Sequence, residues 1–286
     1  MDSKSKISNP NCYLFDAQYA SLQKLEQFHL FQENDAQLAI SIVDQIAYSL
    51  PKSPIGGVFT TNADKEDLFH LLEKVTKQLQ GKAKQIQIKQ PVSIYPAYST
   101  EALMDFGFQQ SISEISHYVE LNNQPVEKLH EMQQRKLKST EFSVAVTDPG
   151  ELPSIYQCIT EARKAQDLDV NTTLKNLQDQ FKLFPNQYLI YTAYKEQFIA
   201  ATCIVTLPTN NIAYYYLPAT NPLYRTESPM VPLMAYMYDD LLKRGYDYLD
   251  LGISSINGVP QTSLIAFKER MAGIRTERPN LILTIK

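Results

Sequence analysis

Met230, Leu233, Met234, Met237 and Leu241 recur at the spacing of one helix face. The segment opens at Ser228-Pro229, which predicts a hydroxyl N-cap followed by proline at the first helical position. It closes with Lys243-Arg244, cations that suit a helix C-terminus, and then Gly245. Tyr246 to Leu251 reads as a strand, with Leu249 and Leu251 on one face and Tyr248 and Asp250 on the other. A loop containing Gly252, Asn257, Gly258 and Pro260 follows. Next come a short helix carrying Phe267-Lys268-Glu269-Arg270, a stop at Gly273 and a last strand through Leu281-Ile282-Leu283.

The same order of events occurs earlier. Asp64 caps a predicted helix with Leu68, Leu71, Leu72, Val75 and Leu79 on one face, and Gly81 stops it. Gln85 to Lys89 alternates as a strand with Ile86 and Ile88 inward. A loop with Pro91 and Pro96 leads to a short helix, Ser99 to Asp105; Gly107 stops that helix, and a strand reaches Leu121. The helix-ending glycines are 26 residues apart in the first instance (81 to 107) and 28 in the second (245 to 273). A recurrence of this kind points to two structurally equivalent halves.

The remaining pattern fills in both halves. Residues 1–12 are polar and expected to be loose. Tyr19 to Leu30 reads as a helix, Leu38 to Tyr48 as a strand, Ser49 to Gly57 as a turn region, and Gly57 to Thr60 as another strand. Val126 to Thr140 is a lysine-rich helix, read either as a solvated linker or as a basic surface for an anionic substrate. Phe142 to Thr147 reads as a strand. Pro153 and Thr172 or Thr173 begin helices. Tyr188–Tyr194, Gln197–Leu207 and Asn211–Leu217 read as three antiparallel strands. This is a mixed α+β pattern.

Composition narrows the class. A chain of 286 residues, 44% hydrophobic and 20% charged, is long enough for two globular domains. A net charge of -4 and a pI near 5.7 argue against a dedicated nucleic-acid binder. Cys12, Cys158 and Cys203 are scattered and read as buried free thiols. Without a CxxC pair or a histidine cluster, no metal site is expected. No apolar leader and no apolar run of membrane-spanning length is present, so a cytoplasmic location is expected.

Three places carry a family resemblance. They are Leu103-Met104-Asp105-Phe106-Gly107-Phe108 with Ser116-His117-Tyr118-Val119, then Gly245-Tyr246-Asp247-Tyr248-Leu249-Asp250-Leu251-Gly252, and Phe267-Lys268 with Gly273. In their order along the chain they resemble the tandem form of the GNAT (acyl-CoA N-acyltransferase) fold found in the Fem-type transferase group. The resemblance implies a mixed α/β fold of two tandem GNAT-like halves, each a central, mostly antiparallel sheet flanked by helices. It divides the chain into 1–121, a linker helix 122–141, and 142–286, the half expected to carry the active site. It implies an acyl or aminoacyl group moved onto a small-molecule or peptide amine. The donor would be acyl-CoA or aminoacyl-tRNA, with no tightly bound cofactor. The segment where a GNAT enzyme has its glycine-rich phosphate loop reads Tyr224-Arg225-Thr226-Glu227-Ser228-Pro229, with no glycine. Where Fem-type enzymes carry an acidic "I-D-P", this chain reads Lys89-Gln90-Pro91.

Amide formation by direct attack needs a deprotonated amine and donors for the carbonyl oxyanion, and it needs no covalent nucleophile. Lys268, Asp250 and Tyr215 are the catalytic candidates. Lys268 would stabilise negative charge and Asp250 lies at the end of a strand, while Tyr215 or the flanking tyrosines would donate a hydrogen bond. Tyr214, Tyr216, Phe267, Ser254, Arg225 and Lys89 are the substrate-binding candidates. His117, on an apolar strand face, reads as a core histidine. Three classes stay open: an acyl or aminoacyl transferase, an acetyl-CoA-dependent N-acetyltransferase, and a non-catalytic ligand-binding relative. Lys268 is expected on the exposed side of its helix.

Overall fold

The computed structural model describes residues 12–285. Of the stretch 1–12, only Cys12 is among the described residues, and it is buried; the expectation for residues 1–11 lies outside them.

In chain order the elements are α1 (Ala17–Leu22), β1 (His29–Glu33), β2 (Ala36–Val43), β3 (Ile46–Ser49), α2 (Lys65–Leu79), β4 (Gln85–Lys89), α3 (Thr100–Phe106) and β5 (Gln109–Glu120). Then come α4 (Glu131–Lys138), β6 (Ser143–Val146), α5 (Leu152–Lys164), α6 (Leu174–Leu183), β7 (Tyr188–Lys195), β8 (Phe198–Thr206) and β9 (Ile212–Thr220). The chain finishes with α7 (Met230–Lys243), β10 (Tyr248–Ile253), the short strands β11 (Ser255–Ile256) and β12 (Val259–Pro260), α8 (Thr262–Arg270) and β13 (Ile274–Thr284). They form two compact units. The first contains described residues 12–116, 255–260 and 276–285; the second contains 117–254 and 261–275.

In the first unit the strand order is β1-β2-β3-β4-β13-β5. β1, β2 and β3 form an antiparallel meander. β3 runs parallel to β4 over three register pairs, Ile46–Gln85, Ala47–Ile86 and Tyr48–Gln87. Asp64 caps α2 by accepting the Glu66 N–H at 2.8 Å. The apolar stripe of α2 is fully buried against Ile86, Ile88 and Leu281 of the sheet.

In the second unit the order is β5-β10-β9-β8-β7-β6, with β5 contributing its end from His117 onward. β6 to β9 are antiparallel, and β9 runs parallel to β10, again over three register pairs. Met230, Leu233, Met234, Met237 and Leu241 of α7 form the centre of this core, with Leu249, Leu251 and Met271. Tyr238 donates its hydroxyl to the Met271 carbonyl at 2.8 Å.

Several sequence expectations are corrected. The helix expected over Tyr19–Leu30 stops at Leu22; Lys24 and Gln27 adopt left-handed backbone, and the chain enters β1. The strand read over Leu38–Tyr48 is a hairpin, turned at Asp44-Gln45 with φ of 50° and 61°. That turn carries none of the glycine that usually marks such a reversal. Gly57–Thr60 makes only isolated bridges, through Phe59. Ser228 is not the N-cap of α7: it takes φ +61°, and Pro229 occupies the cap without a side-chain hydrogen bond. The basic helix is shorter than read, with a loop before Glu131.

Leu72 is fully buried in the first unit's core. Leu72→Ala is expected to cost about 2–5 kcal/mol. Urea unfolding should show a lower midpoint with the slope kept.

Candidate active site

β9 and β10 pair only at Ile212–Tyr248, Ala213–Leu249 and Tyr214–Asp250. Beyond these the two parallel strands part. On the other edge of β9 the register with β8 shifts between Ile204 and Val205, so Tyr216 is the extra residue of a bulge. Parallel strands that diverge at their carboxyl ends are where open α/β sheets bind ligands.

The backbone just past this point is tightly held. Gly252 has φ +70°, and a Cβ there would come within 2.8 Å of the Tyr214 hydroxyl. Glycine is therefore required for both the conformation and the close approach. Asp250, fully buried, accepts the Gly252 N–H on Oδ1 at 2.8 Å. Lys268 of α8 donates from Nζ to the carbonyls of Gly252 at 2.8 Å and Ile253 at 2.9 Å. This corrects the expectation of an exposed lysine, since Lys268 is 4% exposed. Its amine is lowered to about 8, by burial first, with Asp250 acting in the opposite direction. It is thus predominantly charged at neutral pH, with one N–H beyond the two already engaged.

Ser254 comes next and is buried; its hydroxyl lies 3.0 Å from Nδ1 of His117. His117 is fully buried, and its Nε2 has no hydrogen-bond partner. The nearest carboxylate is Glu269 Oε1 at 3.9 Å. Burial, then Lys268 and Arg275, lower the ring to about 4, so it is neutral near pH 7 and this contact is not an ion pair. Glu269 also lines a cleft of about 210 Å³ with Glu120, Asn123 and Lys128.

The other candidates separate. Tyr215 takes the core face and donates to the Met230 sulfur at 3.0 Å, with burial raising its hydroxyl well above the ordinary range. Tyr214 and Tyr216 are half-buried on the opposite face. Phe267 is half-buried and packs against the second core. Arg225 is exposed on the 3-10 turn Pro222–Glu227. Lys89 belongs to the first unit, at the end of β4. The structure therefore brings Asp250, Ser254, Lys268 and Tyr214 together around Gly252, and adds His117 and Glu269. Glu269 adjoins Lys268 in sequence, but nothing in the chain's pattern marks it as His117's neighbour.

A GNAT acetyltransferase domain model matches residues 130–258. The fold is similar to that of FemX, at 11% identity and TM-score 0.70 over 94% of this chain and 91% of that one. It is also similar to the C-terminal domain assigned to a lysylphosphatidylglycerol synthetase of Agrobacterium fabrum, at 14% identity and TM-score 0.61 over 92% and 85%. A third likeness is to a tandem GNAT protein from the clavulanic acid biosynthesis pathway, at 12% identity and TM-score 0.54 over 98% and 90%. No curated protein matches the sequence. Among the described residues no helix is long and apolar enough to cross a membrane, and no cluster of metal-ligating side chains occurs.

Two outcomes follow from this geometry. Lys268→Ala leaves two carbonyls without their donor and should destabilise the protein by about 1–3 kcal/mol in urea titrations. An unchanged midpoint would show that the amine does not hold the loop. For His117, the folded value of about 4 lies below the ordinary 6.5. The unfolded chain therefore binds more protons between those values. Stability is fully present above pH 6.5 and falls as pH drops toward 4. Melting temperatures of wild type and His117→Gln should differ in slope across that window, with the variant flatter.

Proposed function

We infer that the chain moves an acyl or aminoacyl group onto an amine acceptor by direct attack; the match of residues 130–258 to a GNAT acetyltransferase domain model, on a fold similar to those of FemX and a tandem GNAT protein, supports this reading. The observation that carries this reading is the parting of β9 from β10 beyond Tyr214 and Asp250, inside the matched domain. A carbonyl placed there meets Lys268, whose remaining N–H is available to the oxyanion. Tyr214 lies against Gly252, where its hydroxyl can orient the substrate. The C–N bond forms as the donor's C–O or C–S bond breaks, and the proton shed by the amine is balanced by the one taken up by the departing hydroxyl or thiol; Asp250 and the Ser254–His117 pair are the titratable and hydroxyl groups grouped at that end of β10. No acyl-enzyme is needed, and the three cysteines are buried, with burial raising each thiol.

The donor is constrained by the start of α7. A pyrophosphate is usually cradled by several free N–H groups at a helix N-terminus. Here Pro229 and Pro232 have none. The N–H groups of Val231 and Leu233 are engaged by the Ser228 and Pro229 carbonyls at 3.1 and 3.3 Å. This supports a donor held by contacts other than a backbone nest, which we read as an aminoacyl ester such as aminoacyl-tRNA before acetyl-CoA. The acceptor class is a small-molecule or peptide amine.

Purified protein incubated with acetyl-CoA and with charged tRNA, each with a panel of primary amines, separates the readings. Transfer from the aminoacyl ester, with weak CoA binding by calorimetry, is expected. Tight CoA binding with release of free thiol would replace it with the acetyl-CoA reading. A ligand seen by native mass spectrometry but no transfer from either donor would leave a binding protein. Lys268→Met is expected to lower the transfer rate about 100-fold or more, the scale of losing an oxyanion donor.

A further inference from the structure

Arg278 is a charged side chain in the first unit that the reaction above does not use. It lies on β13 and is 7% exposed. Its Nε donates to the Gln90 carbonyl at 3.1 Å, immediately past the end of β4. Among the described residues its guanidinium makes no ion pair. The adjacent acid, Glu277, instead accepts the Ser113 hydroxyl at 3.0 Å. Gln90 cannot neutralise it; its own side-chain amide donates to the Tyr98 carbonyl at 2.8 Å. A guanidinium largely withdrawn from water without a counter-charge is costly, and such charges are ordinarily paired.

A second cation lies on the same face of the sheet. Asn280 is in register with Lys89, so these two share a face of the sheet. Arg278 is two residues from Asn280 on the same strand and shares that face. Ile88 and Leu281, on the other face, pack into the core with α2. Lys89 is exposed. The parting of β3 from β4 is itself filled: a Cβ on Gly56 would lie 2.5 Å from the Ser49 hydroxyl and 3.0 Å from the Lys89 carbonyl. At this end of the first unit's sheet, Arg278 and Lys89 are two cations on one face.

We propose that Arg278, with Lys89 on the same face of the sheet, is an oxyanion-recognition site for a substrate that carries a phosphate or a carboxylate. The flat fork of Arg278 accepts either group in a bidentate manner. Lys89 adds a point charge from the open side. In the acyl-transfer reading on which this rests, the site binds the anionic part of a substrate.

The test is binding to the full chain, with pyrophosphate and succinate as probes, by calorimetry and melting temperature. One of them should bind and raise the melting temperature of wild type, and its identity distinguishes phosphate from carboxylate. Arg278→Gln should abolish the effect, and Arg278→Lys should weaken it about tenfold, because a lysine keeps the charge without the fork. If Arg278→Gln does not fold, Lys89→Gln, at an exposed position, carries the test and should weaken binding. Absence of binding by both probes to wild type overturns the site, as does equal binding by wild type and both Gln variants. A chain that binds a probe through Arg278 but transfers no acyl group upholds the site and overturns the acyl-transfer reading. Acyl transfer without probe binding overturns the site alone.

Discussion

The second unit depends on one buried ammonium. Lys268 satisfies two carbonyls that the end of β10 would otherwise bury unpaired, and it does so from a helix that follows ten residues later. That clamp and the Asp250 carboxylate, which accepts the Gly252 N–H, together hold the conformation that places Gly252 against the Tyr214 hydroxyl. Because the ammonium is desolvated, its charge is more effective than that of a surface lysine and easier to remove. Holding the loop and presenting a positive charge are therefore one arrangement.

The two units repeat a common device with different outcomes. In each, a meander is followed by a helix and a parallel strand that pairs over three positions and then diverges. In the first unit a pair of glycines enters the gap, and Gly56 packs between Ser49 and Lys89. In the second unit the gap is bordered by tyrosines and by the Lys268-held loop. A shared backbone plan thus carries different residues at its two junctions, glycines against Ser49 and Lys89 in one unit and tyrosines with a lysine-held loop in the other.

How much of this the sequence carried depends on whether a signal is local. The helix over Lys65–Leu79 follows from an Asp cap, an apolar stripe and a terminating glycine within one stretch of chain. The helix Met230–Lys243 was read from its stripe, although its cap was not: two prolines near the start shift the cap from Ser228 to Pro229. The Asp44-Gln45 reversal was illegible because left-handed backbone there is imposed by the pairing of β2 with β3, not by residue type. In the site, Lys268, Asp250 and Ser254 were visible through the resemblance and through their place at a strand end. Arg278 is not legible in the sequence, because its significance is burial without a counter-charge, and burial is not a property of a single residue in a sequence.

Taken alone, the sequence determined the order and kind of the main elements, the recurrence of that order in two halves, and the residues near the end of β10. These rest on periodicity, capping and turn chemistry, which act over a few residues. Tertiary structure alone decided that Lys268 is buried, that Tyr215 faces the core while Tyr214 faces Gly252, and that His117 lies between Ser254 and Glu269. It also decided that β13 lies in the first unit and the end of β5 in the second. Each of these joins residues far apart in the chain. Strand pairing and desolvation are set by which segments meet in space, and local propensity does not encode that.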